Sequence, residues 1–231
     1  MASGDADGGG LDAGERAAAE DSAAFVMALR ERGVRDTAVL RAMEQVARER
    51  FAPASVRAHA RRDIALPLPC GATMTAPTVV GAMLTALDVP PGARVLEVGT
   101  GSGYVTALLM RLGAARVRSL ERYATLVADA QANLAGLDGA TVETADGLAD
   151  AAAGQAGYDR ILVNGALGRV PDALTAALVP GGRLVAALRD GAGARLAAID
   201  RAAVGGTGIG SPVLGRPLRL PPLTPGRAGV L

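Results

Sequence analysis

From residue 94 to residue 188 the chain alternates short apolar runs with helix-forming stretches, and the connections between them are brief. The runs at 94–98, 116–120, 142–144, 159–163 and 183–188 predict strands. The stretches at 104–112, 122–136, 147–154 and 171–178 predict helices. Two strands joined through a helix cannot form a tight hairpin. They pair parallel, and a parallel sheet needs helices over its faces. The expected fold class is therefore α/β and Rossmann-like, a mostly parallel sheet with helices on both faces. Residues 195–199 predict a sixth strand, and the Gly- and Pro-rich stretch 203–231 leaves room for a closing antiparallel pair.

Upstream of this core, Asp21 or Ser22 can cap a helix over 22–32 that ends near Gly33. Asp36 can cap a second helix from Thr37, in which Val39, Leu40, Met43, Val46 and Ala47 recur at helical spacing. A less regular stretch from Phe51 to Pro77 leads into a helix over 78–87. Residues 1–20 are rich in Gly, Ala and Asp and predict a disordered tail. Residues 21–231 read as one domain, divided into an N-terminal part (21–77), a cofactor-binding core (78–190) and C-terminal strands with a tail (191–231).

Composition removes several kinds of chemistry. Lys and Arg together number 24, and every one is Arg, which excludes Schiff-base chemistry and a lysine base or nucleophile. A single Cys, Cys70, excludes an intrachain disulfide, and a single His, His59, excludes a multi-histidine zinc site. No metal is expected. A net charge of +1 argues against nucleic acid as a partner. The uncharged stretch from Ile64 to Leu87 is broken by Pro67, Pro69, Gly71 and Pro77, so no membrane span is expected there. The N-terminal residues carry no apolar run of a signal or transit type, and the expected location is cytoplasmic.

The turn Gly99-Thr100-Gly101-Ser102-Gly103 closes the first core strand, where ligands of open α/β sheets bind. Its spacing is G-x-G-x-G, with Tyr104 where a dinucleotide site would place its third glycine. A phosphate-binding loop would need a Lys, which the chain lacks. Glu97, two residues before the first glycine, disfavours a pyrophosphate and suits a ligand with positive charge. The pattern favours S-adenosyl-L-methionine. Glu121, ending the second strand, can accept ribose hydroxyls, or simply begin a surface helix. Asp146 can accept from the adenine amino group, or form a plain turn with Gly147.

These segments together resemble the protein-L-isoaspartate O-methyltransferase family over about residues 22–190. Residues 29–36 look like its first helix and turn, and Val39 to Met43 with Arg48 to Phe51 like its second helix. Ala72-Thr73-Met74-Thr75-Ala76-Pro77 resembles its substrate loop, Val95 to Tyr104 its cofactor motif, and Leu178 to Val185 its fifth-strand motif. The loop at this distance upstream of the cofactor motif is the specific part. The resemblance implies methyl transfer from S-adenosylmethionine to the free carboxylate of L-isoaspartyl residues in damaged proteins or peptides, a repair reaction. It implies cofactor contacts at Glu97, Gly99, Thr100, Gly101, Ser102, Gly103, Glu121, Arg122, Asp146 and Gly147. It implies substrate contacts at Thr73, Met74, Thr75, Ala76 and Pro77, with the Thr75 hydroxyl facing the reacting group.

The chain departs from the family pattern in places. Arg61-Arg62-Asp63 leads into the loop, Pro69 and Cys70 replace a common Gly and His, and Asn164-Gly165-Ala166-Leu167 follows the fourth strand. Thr75 and Thr73 have the alternative of capping the helix near Pro77. His59 reads as a surface residue and Cys70 as a small buried one. Two other functions fit the same fold: methylation of another carboxylate, such as an aspartyl side chain or a small acid, and non-catalytic binding of the cofactor.

Overall fold

The computed structural model describes residues 12–151, 157–191, 193–206 and 208–228. The first helix, α1 (Ala13–Glu31), begins well ahead of the expected start, so Asp21 and Ser22 lie inside it and do not cap it. The predicted tail thus shrinks at its C-terminal end, because alanines and acids at 13–20 favour a helix. Residues 1–11 of that tail lie outside the described residues. Helix α2 (Thr37–Gln45) is capped as expected: the Asp36 carboxylate accepts from the amides of Ala38 at 2.9 Å and Val39 at 3.0 Å. Such a cap contributes about 1 kcal/mol.

The irregular stretch and the residues just before it resolve into short 3-10 segments at Arg48–Phe51, Ala54–His59 and Pro69–Gly71. A two-stranded antiparallel ribbon, β1 (Leu66–Pro67) with β2 (Thr73–Met74), closes the loop between them. Helix α3 (Pro77–Leu87) follows, then β3 (Arg94–Val98), α4 (Tyr104–Arg111), β4 (Arg116–Glu121), α5 (Ala124–Asn133), β5 (Ala140–Thr144), β6 (Tyr158–Leu167), α6 (Asp172–Ala177), β7 (Leu178–Asp190), β8 (Gly193–Asp200) and β9 (Val213–Leu218). The helix expected over 147–154 is absent at 147–151, where Asp146 and Asp150 hold a turn; residues 152–156 lie outside the described residues. Asp146 and Gly147 compete better for a turn than for a helix interior.

The sheet order is β5-β4-β3-β6-β7-β8-β9. Its first five strands are parallel, and β8 and β9 are antiparallel to their neighbours. The order reverses between β3 and β6, and the loops after those strands open at that point. Alternate strand residues point to opposite faces. Val95, Val117, Val142, Leu162 and Val185 join the core under α1 to α5. Leu96, Leu120, Ile161, Val163 and Leu184 join the one under α6 and the 145–151 turn. Few aromatic residues take part, so the layers close on Ala, Val and Leu.

Candidate active site

β3 delivers the glycine turn to the switch point. Gly99 has φ +89° and Gly101 φ +56°, a region that side chains disfavour. A Cβ on Gly99 would lie 3.3 Å from the Asn164 carbonyl oxygen, so the turn sits tight against the end of β6. The turn is tied to β4 through Glu121, whose Oε2 accepts the Gly101 amide at 3.0 Å. Glu121 Oε1 accepts the amides of Arg122 at 2.8 Å and Tyr123 at 3.2 Å. A carboxylate offers about four acceptor positions. Three are engaged by backbone, which leaves one on a carboxylate that lines the cleft.

A cleft of about 240 Å³ opens here. Of the expected cofactor residues, Gly99, Gly101, Glu121, Arg122, Asp146 and Gly147 line it. Glu97, Thr100, Ser102 and Gly103 do not. Thr100 and Ser102 are buried, with Thr100 Oγ1 bonded to Ser119 Oγ at 2.5 Å. Gly103 supplies the N-cap of α4 and packs against Leu134. On the substrate side Thr73 reaches the cleft, together with Cys70, Gly71 and Ala72. Met74 is buried in the β1–β2 ribbon, Pro77 starts α3, and Thr75 and Ala76 sit between them, off the cleft wall.

Glu97 requires a correction of role. Sequence spacing suggested that it faces a cationic ligand; it is fully buried behind the turn. Its Oε2 accepts from Thr106 Oγ1 at 2.5 Å and Ser119 Oγ at 2.8 Å, and its Oε1 from Asn164 Nδ2 at 2.7 Å. Burial pushes its carboxyl up to about 7, against the pull of these three donors and with a small push from Glu121. A carboxyl whose folded value lies above its ordinary 4.5 is protonated more readily in the native state. Its stabilising contribution is therefore complete below about pH 4.5 and is lost as pH rises through about 7. Denaturant midpoints measured across that window are expected to fall for the wild type, and Glu97→Gln is expected to flatten this part of the profile.

Neither Thr73 nor Thr75 caps α3. That position is served from a distance by Asp63, which accepts from the Thr78 amide at 2.9 Å and from the Thr78 hydroxyl at 2.8 Å. His59 is exposed, as expected. Cys70 is only partly buried, adopts φ +60° and lines the cleft, contrary to the small buried residue expected.

Two groups of cleft residues were not anticipated. Asn164, on the register shift of β6, donates from Nδ2 to both Glu97 and the Gly99 carbonyl, the latter at 3.0 Å. A polar residue directly after the apolar run Ile161-Leu162-Val163 was a readable signal for it. Pro221 to Thr224 also line the cleft. Leu223 is bonded to the Ala166 carbonyl at 3.0 Å and fills space that only a glycine at 165 leaves open. The Gly226 amide then donates to Asp146 Oδ2 at 2.7 Å. Nothing local in the sequence marks that long-range contact.

The cleft thus offers glycine backbone and two carboxylates, Glu121 and Asp146, to an incoming ligand. The Arg122 guanidinium lies over the Tyr123 ring at 5.1 Å. This donor-seeking lining fits the hydroxyls and amino groups of S-adenosylmethionine and does not fit a pyrophosphate.

A profile of the family described as protein-L-isoaspartate(D-aspartate) O-methyltransferase matches residues 20–209. A protein-L-isoaspartate O-methyltransferase of Azorhizobium caulinodans is 46% identical over 168 residues, 72% of this chain and 76% of that protein. The corresponding Xanthobacter autotrophicus protein is 48% identical over 164 residues, 70% of this chain and 74% of its own. A Plasmodium falciparum structure named for the same activity, solved with S-adenosyl-L-homocysteine, superposes with a TM-score of 0.76 at 21% identity. It covers 87% of this chain and 97% of its own, and it establishes the likeness of fold. On the extent of these matches, the chain belongs to the protein-L-isoaspartate(D-aspartate) O-methyltransferase family.

Proposed function

We propose that the protein transfers the methyl group of S-adenosylmethionine to the free carboxylate of an L-isoaspartyl residue in a protein or peptide. The observation that carries this is the shared cleft. Gly99, Gly101, Glu121 and Asp146, together with Thr73 and its neighbours, line a single cavity. Two reactants held there are brought together without diffusion, and such positioning is worth up to roughly 7–11 kcal/mol.

Bound in the cleft, S-adenosylmethionine supplies an electrophilic methyl group. Glu121 and the glycine turn would hold its ribose side, and Asp146 and Gly147 its adenine side. The acceptor is a carboxylate with an ordinary pKa of about 4, already ionised at neutral pH. No general base is needed, which agrees with a cleft whose lining contains neither His nor Lys. The chain's own contribution is to orient and to exclude water: the β1–β2 ribbon and the Pro221–Thr224 crossing wall the cavity on two sides.

No helix among the described residues is long and apolar enough to cross a membrane. The cytoplasm is the proposed compartment, where the lone Cys70 stays reduced.

The test is methyl-ester formation on a peptide carrying one L-isoaspartyl residue, beside the same peptide with an ordinary aspartyl residue. The reading expects ester on the first alone. Equal transfer to both, or transfer to the aspartyl peptide only, would assign a different carboxylate; cofactor binding without any transfer would make the protein a binder.

A further inference from the structure

The most unusual side chain outside the cleft is Arg48. It is 1% exposed, and no carboxylate pairs with it among the described residues. Its partners are backbone carbonyls instead. Nη1 donates to the Ala60 carbonyl. Nη2 donates to the carbonyls of Ile64 at 3.3 Å, Met74 at 3.3 Å and Thr75 at 3.0 Å. Ile64 precedes the β1–β2 ribbon and Thr75 follows it, so one guanidinium grips both ends of this loop. The same group lies 6.0 Å from the centre of the Tyr104 ring, and Tyr104 is the first residue of α4, directly after the glycine turn.

Stability alone is a poor account of this arrangement. Burial lowers the Arg48 guanidinium to about 10, opposed by Tyr104 and Asp63, so it remains charged at neutral pH. Arg48 Nε and the Tyr104 hydroxyl are both buried without a hydrogen-bond partner among the described residues. Each such group is costly to bury, and apolar side chains of similar shape would avoid that cost. What the charge supplies is a fixed geometry between two segments that come from different parts of the chain. Asp63 adds to it by holding the amide and hydroxyl of Thr78, just beyond the loop.

We propose that Arg48 is a positioning residue, which sets the loop carrying Thr73 and Thr75 in register with the glycine turn through Tyr104. This rests on the reading of that loop as the acceptor side of the cleft. Arg48 touches neither reactant; it acts through the backbone of Met74 and Thr75.

The experiment uses the full chain and the variant Arg48→Lys. A lysine keeps the charge, but its single ammonium cannot span four carbonyls. For the isoaspartyl peptide, kcat/KM is expected to fall about tenfold, mostly through KM. Binding of S-adenosylhomocysteine should stay within about twofold of wild type, because the turn and Glu121 are untouched. A second readout needs no acceptor at all: amide hydrogen exchange at 64–75 is expected to quicken about tenfold, with 99–103 unchanged. Arg48→Met removes the buried charge and keeps the stem; it should show the same split, and it serves if the lysine variant does not fold.

Unchanged exchange and unchanged kcat/KM would overturn the proposal. So would parallel losses of peptide turnover and S-adenosylhomocysteine binding in a variant that keeps the wild-type melting temperature, because Arg48 would then act on both sides of the cleft alike. A wild-type enzyme that methylates no isoaspartyl peptide would sink the functional reading and leave the exchange result to judge Arg48 separately.

Discussion

Glu121→Ala is expected to raise the dissociation constant for S-adenosylhomocysteine about a hundredfold. The carboxylate does two jobs. Its Oε2 holds the Gly101 amide and so shapes the turn, and the same oxygen keeps one acceptor position for a ligand hydroxyl. A hydrogen bond to a charged group is worth about 1.5–3 kcal/mol. The upper end, with the turn loosened as well, corresponds to about two powers of ten in affinity. Calorimetric titration measures it directly. A change below about threefold would remove Glu121 from the ligand site and leave it as an organiser of the turn. Because Arg122 and Tyr123 also lose an acceptor, the melting temperature of the variant has to be followed in parallel.

The second large effect is on stability. Glu97→Leu strips a buried acceptor from Thr106, Ser119 and Asn164 at once. Ser119 keeps Thr100 as a partner and Asn164 keeps the Gly99 carbonyl, so the network is damaged unevenly. Leaving the buried Thr106 hydroxyl without its acceptor costs about 1–3 kcal/mol. For a chain of this size each kcal/mol moves the melting temperature by about 2–4 °C, so a fall of about 6 °C is expected. A shift under about 2 °C would mean that the network carries little of the fold. Glu97→Gln keeps the shape and one acceptor oxygen, and should fall between the variant and the wild type.

Most of the sheet was legible because each strand is a short, nearly continuous apolar run, which buried parallel strands require. Asp36 was legible as a cap because capping is local chemistry. The misread elements share a cause. The start of α1 and the turn at 145–151 lie in Ala-, Asp- and Gly-rich sequence, where helix, turn and disorder differ by little free energy. In the site, the glycine turn and Glu121 were visible as a strand end followed by an acid at the next strand end. Glu97 was read as ligand-facing because spacing along a strand does not say which face is lined by a helix; Thr106 on α4 turned it into a core residue. Arg48, Asp63 and the Pro221–Thr224 crossing owe their places to contacts between distant segments. Composition could not reveal them.

The most direct measurement is a crystal structure of the protein with S-adenosylhomocysteine. The ribose hydroxyls are expected within hydrogen-bond distance of the Glu121 carboxylate, the adenine beside Asp146 and Gly147, and the sulfur facing the loop that carries Thr73. A cleft that stays filled by its own side chains, or a ligand seated away from the turn after Val98, would contradict that placement.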